Sequence, residues 1–176
     1  MAFSQQKLRA AANRSYKISV AKSLNEAKIN KKQTAFLCHS HKDRVLAQGL
    51  QTLLKEDGWD VYIDWQDNEM PSDPNKETAT QIKSRILETD WFLFLATSNS
   101  TASRWCPWEI GYADAVKSLD NILIIPTSDD NGKHYGNEYL QLYKKVDEAS
   151  NKIRSGYAVF RPNTPSKGVW INSLAS

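Results

Sequence analysis

Cysteine is nearly missing from this chain: two in 176 residues, Cys38 and Cys106. Two are too few for a disulfide framework, and neither stands in a metal-ligand spacing. They read as reduced thiols, as expected of a cytosolic protein. No apolar run approaches the length that spans a bilayer. The N-terminus is basic but lacks the apolar stretch of a secretory signal. The cytoplasm is therefore the expected compartment, with no membrane partner. Glycine and proline are sparse, at seven and six, which excludes collagen-like and linker-rich chains. No Gly-rich phosphate loop occurs, which argues against P-loop and Rossmann nucleotide binding. The net charge of +3 gives no argument for a nucleic-acid partner. No internal repeat or low-complexity tract is visible.

What remains is ordinary globular material, 40% hydrophobic and 24% charged, enough for one domain with a real core. Residues 1–33 are polar and basic, with Leu8, Ala11, Ala12, Tyr16, Ile18, Val20, Leu24 and Ala27 in a loose helical rhythm. One or two helices are expected there, either docked on the domain or on a partner, or, most simply, solvated. The body then alternates strand and helix. Strands are expected at 34–38 (TAFLC), 60–65 (DVYIDW), 91–96 (WFLFLA), 121–125 (NILII) and 158–160. Helices are expected at 46–54, 78–87, 105–117 and 139–154. Alternation with continuous apolar strands implies a parallel sheet covered on both faces. Ligands of such sheets bind outside the carboxyl ends of the strands.

Three constellations occupy those ends. The first is Phe36-Leu37-Cys38-His39-Ser40-His41-Lys42-Asp43, where Ser40 or Asp43 is expected to cap the next helix. His39 and His41 alternate, so only one can face a cleft if the strand persists, and no third metal ligand is close in sequence. The second is the polar, Pro-punctuated stretch from Trp65 to Pro74, a mobile lid or a plain connection. The third is Ser103-Arg104-Trp105-Cys106-Pro107-Trp108-Glu109. Pro107 places a helix start near residues 103–106. Trp105 and Glu109, four apart, then share a face, and an indole beside the acid would raise its pKa. Equally, Trp105 and Trp108 could be core anchors and Glu109 a charge at a helix N-terminus.

Taken in order, these segments resemble the TIR domain, named for Toll and interleukin-1 receptors. The first segment resembles its first motif, 60–65 with the following loop its second strand and BB loop, and Ser103-x-Trp105-Cys106-x-x-Glu109 the signature of its enzymatic members. The resemblance covers roughly residues 34–160, so the chain divides into a basic helical extension, 1–33, and a TIR domain, 34–176. It implies a flavodoxin-like α/β three-layer sandwich around a parallel sheet of about five strands. The loop lacks the Arg-Asp-x-x-Pro-Gly run common in receptor members, so no signalling contacts are transferred.

The resemblance further implies cleavage of NAD at the nicotinamide–ribose bond, releasing nicotinamide and ADP-ribose or a cyclic isomer. Bacterial members often serve anti-phage defence, including the Thoeris type, in which the nucleotide product activates a partner effector. NAD enters as substrate, and neither a cofactor nor a metal is expected. Glu109 is the implied catalytic residue, with Trp105 stacking near nicotinamide or ribose. Cys38, His39, Ser40 and Asp43 would lie near ribose or phosphates, and Asp64, Trp65 and Asp67 would border the pocket. Self-association through residues 66–74 is expected to complete the site. The alternatives are a non-enzymatic TIR adaptor, an effector that mimics host TIR signalling, and a nucleotide hydrolase or deoxyribosyltransferase-like enzyme on a related sheet.

Overall fold

The computed structural model describes residues 2–14, 23–64, 75–162, 164 and 166–175. Its elements run β1 (Phe3–Ser4), α1 (Gln5–Ala12), α2 (Leu24–Ile29), β2 (Thr34–Cys38), α3 (Arg44–Glu56), β3 (Tyr62–Asp64), α4 (Lys76–Glu88), β4 (Trp91–Ala96), α5 (Ser98–Thr101), α6 (Cys106–Val116), β5 (Ile122–Ser128), β6 (His134–Tyr135), β7 (Lys144–Ser150), β8 (Ser155–Phe160) and β9 (Gly168–Trp170). Five strands, in the order β3-β2-β4-β5-β7, pair in parallel. In chain order that is 2-1-3-4-5, the flavodoxin-like arrangement. Two antiparallel strands, β8 and β9, extend the sheet beyond β7. The short β1 and β6 pair with the end of β5.

The parallel strands are apolar on both faces because both faces are covered. In β4, Phe92, Phe94 and Ala96 point into one core layer, with Ile82 and Ile86 of α4 and Ile110 and Ala113 of α6. Leu93 and Leu95 point into the other, with Leu46, Leu50 and Leu54 of α3 and Leu8 and Ala11 of α1. The two-residue period of a strand thus builds both layers from one run. Among the described residues no helix is long and apolar enough to cross a membrane.

Of the two readings of the N-terminal segment, docking on the domain holds for α1, which is not a solvated appendage. Phe3, Leu8 and Ala11 are fully buried, and the Phe3 ring stacks on Tyr157 at 4.5 Å. Helix α1 lies so close to α3 that a Cβ on Gly49 would stand 1.9 Å from the Leu8 carbonyl oxygen. Basic side chains of α1 and of the turn that follows it face acids of the body, Lys7 with Glu148 at 2.8 Å and Arg14 with Glu56 at 2.9 Å. The apolar rhythm was visible in sequence; the surface that buries it was not.

The helix expected at 139–154 is absent. Residues Glu138–Leu142 form a 3₁₀ turn and Lys144–Ser150 form β7. The segment carries Leu140, Gln141, Leu142, Lys144, Lys145, Glu148 and Ala149, residue types that favour helix in isolation. Pairing with β5 and β8, and burial of Val146, override that preference. The expected strand at 158–160 is the end of β8, which begins at Ser155.

Candidate functional site

The carboxyl ends of β2 and β4 and the start of α6 converge on one place. Helix α6 begins at Cys106 with Pro107 in its first turn, where a missing N–H costs nothing. Ser103 Oγ accepts the backbone N–H groups of Trp105, at 3.1 Å, and Cys106, at 3.3 Å. These bonds satisfy donors that a helix start leaves open. Glu109 follows one turn in, its N–H donating to the Trp105 carbonyl at 2.8 Å.

The Glu109 side chain is only 4% exposed. Burial pushes its carboxyl up to about 7, opposed in part by a hydrogen bond from Cys38. That partner sits at the end of β2, where its thiol also donates to the Cys106 carbonyl at 3.8 Å. Burial raises the Cys38 thiol well above its usual value, and Cys106 and Glu109 push it in the same direction. The site is therefore dry, and it holds its acid near the midpoint of titration at neutral pH.

Asp43 organises the neighbouring loops. Its buried carboxylate accepts from Thr97 Oγ1 at 2.6 Å and Asn99 Nδ2 at 2.7 Å, tying the loop after β2 to the turn after β4. This corrects the capping expectation: neither Ser40 nor Asp43 caps a helix through its side chain. The Asp43 carboxylate is drawn instead to two donors across the sheet edge. Ser40 is buried, and its carbonyl accepts the Asp43 N–H at 2.8 Å. His39 Nδ1 lies 3.0 Å from the Leu37 carbonyl. A carbonyl can only accept, so Nδ1 carries the proton there.

Trp105 is half-buried against the core layer that contains Cys38 and Cys106. Its ring meets Trp108 edge-on at 5.5 Å. Trp108 is no core anchor: it is 36% exposed, stacks on Tyr112, and has Lys83 Nζ 5.7 Å from its ring centroid. Of the two readings of this aromatic pair, burial in the core thus applies to Trp105 only, and only in part.

Cys38, Cys106 and Glu109 come together in space, and Ser40 and Asp43 sit in the loop that follows β2. Asp64 ends β3, its Cα paired with that of Phe36. Trp65 and Asp67 lie outside the described residues. Sequence reasoning missed Thr97 and Asn99, the donors to Asp43. It also missed Tyr139, whose phenol is raised by burial and then by the nearby Cys38 and Cys106. The Ser/Thr/Asn-rich composition of residues 97–102 was the available signal for the first two. A cavity of about 510 Å³ opens elsewhere, beside Ile124, Tyr135, Leu140, Tyr143, Lys145 and Arg161. Glu109 does not line it, so volume alone points away from the residues with perturbed chemistry.

A parallel 2-1-3-4-5 sheet with a buried acid near its carboxyl edge places the chain among flavodoxin-like α/β domains, whose ligands bind at that edge. Residues 35–154 match the family model of the TIR domain, and the chain belongs to that family. It is 33% identical over 146 residues to a protein of Bacillus cereus (strain MSX-D12) named "Probable 3' cyclic ADP-D-ribose synthase ThsB'". The alignment covers 82% of this chain and 70% of that protein.

Proposed function

We propose that this protein is an NAD-cleaving TIR enzyme of the cytoplasm that breaks the nicotinamide–ribose bond and makes a cyclic ADP-ribose product as a signal in anti-phage defence. The observation that carries the reading is the buried Glu109 carboxyl, set one turn into α6 beside Cys38 and following Trp105. The name of the Bacillus cereus relative supports the nucleotide product.

Nicotinamide leaves NAD as a neutral pyridine and needs no general acid. A pair of carboxyl groups, as in sugar glycosidases, is therefore unnecessary. The transition state carries positive charge on the ribose. Ionised Glu109 stabilises that charge and accepts hydrogen bonds from the ribose hydroxyls. In a dry site this interaction is worth far more than in water. Trp105 shields the reacting carbon. Exclusion of water favours capture of the ribosyl cation by a group of the same molecule over hydrolysis, so the low exposure of Glu109 supports a cyclase over a hydrolase. Self-association through residues 66–74 completes the pocket, and the product acts on a separate effector.

The test is incubation of wild type and Glu109→Gln with NAD, with products resolved by liquid chromatography and mass spectrometry. Nicotinamide and a cyclic product are expected from wild type alone. Equal nicotinamide release by the variant would sink the assignment of Glu109, and free ADP-ribose as the main product would sink the cyclase.

A further inference from the structure

We propose that Cys38, Cys106 and Glu109 form a binding site for a thiophilic divalent cation of the zinc type, and that filling it switches the enzyme off. The two sulfurs and a carboxylate oxygen all lie within 4.8 Å of one another, and all three residues are buried. A tetrahedral zinc site with Zn–S near 2.3 Å and Zn–O near 2.0 Å holds such ligand atoms about 3.5–3.8 Å apart. Closing the difference needs a contraction of at most about 1.3 Å, within reach of χ rotations shared between the side chains that leave the backbone in place.

The backbone frame makes the cluster reproducible. Cys106 and Glu109 stand three residues apart on α6 and so share a face. Cys38 is presented from the last position of β2, which β4 holds in register. The proposed reaction uses neither thiol as a nucleophile, so both sulfurs are available as ligands. Two soft sulfur ligands select zinc-like ions over magnesium or calcium. Three protein ligands leave a fourth tetrahedral position for water.

Binding involves no redox step. The two thiol protons leave to solvent, and so does any proton on Glu109, as the cation takes their place. A carboxylate engaged by the metal cannot stabilise charge on the ribose. Inhibition therefore rests on the proposed role of Glu109, whereas binding does not.

Cobalt(II) tests the two apart. The intact protein in a non-thiol reductant should take up one equivalent of cobalt, with a thiolate-to-metal charge-transfer band that zinc displaces. Cys106→Ser should lose the band while still cleaving NAD. It should also need more than about tenfold more zinc for half-inhibition, the lower end of what loss of even a supporting group costs. Absence of the band in wild type, or equal zinc sensitivity in Cys106→Ser, would overturn the proposal. If Cys106→Ser fails to fold, Glu109→Gln keeps both thiols but loses a ligand. Its band should then be weakened, and an unchanged band would exclude Glu109 from the site. The band forms in wild type whether or not the protein cleaves NAD, so failure of the site and failure of the proposed function are distinguishable.

Discussion

Glu109 should make the fold less stable as its charge develops, and its removal should reveal the size of that cost. In the folded protein its carboxyl titrates at about 7, against 4.5 for a free glutamate. The folded state thus holds the proton more tightly than the unfolded chain. The stabilising contribution is fully present below the unfolded value, falls as pH rises, and is gone once pH passes the folded value. Each pH unit between those two values is worth about 1.4 kcal/mol, so the contribution amounts to roughly 3 kcal/mol. Glu109→Gln keeps the shape of the neutral acid and cannot ionise. Relative to wild type, the variant should therefore gain stability between about pH 5 and pH 8, by up to roughly 3 kcal/mol. For a chain of this length that corresponds to several degrees, at about 2–4 °C per kcal/mol. Thermal and urea unfolding of both proteins at about pH 5, 6, 7 and 8, with a chelator present, would measure it. A wild-type-to-variant difference that stays constant across that range would refute the raised acid. It would also remove the reason for treating the site as dry.

The same acid sets an activity profile. If ionised Glu109 is the working form, NAD cleavage should rise about tenfold from pH 6 to pH 8 and level off above that; initial rates at saturating NAD check this, and a flat profile refutes it. Gly49→Ala should drive a Cβ into the Leu8 carbonyl and cost about 1–3 kcal/mol. Its hydrogen-exchange signature should be early opening of α1, and unchanged protection of α1 would argue against close α1–α3 packing. Replacing residues 66–74 with a flexible linker should abolish concentration-dependent activity and self-association in light scattering, and retention of both would remove that loop from assembly.

Legibility followed burial. Strands β2, β4 and β5 are buried on both faces, so their continuous apolar runs could be read directly. Strand β7 buries Val146 and carries Lys144 and Lys145 in ion pairs with Asp120 and Asp147. Such a segment has the composition of a surface helix, and only its partners β5 and β8 make it a strand. At the site, Glu109 and Trp105 were legible because they lie one helical turn apart in a single short stretch. The bonds from Thr97 and Asn99 to Asp43 were not, because they cross 54 and 56 residues of chain.

The amino-acid sequence by itself determined the strand–helix alternation, the parallel sheet, the placement of Glu109 one turn into a helix that begins beside Pro107, and the family. Each of these rests on spacing within a short stretch, where helix and strand periods dictate which side chains share a face. Only the tertiary structure decided that Glu109 is dry, that α1 belongs to the core, and that Cys38 and Cys106, 68 residues apart, meet at the same carboxylate. Burial and proximity across the sheet depend on which surfaces pack together, and no local pattern records that.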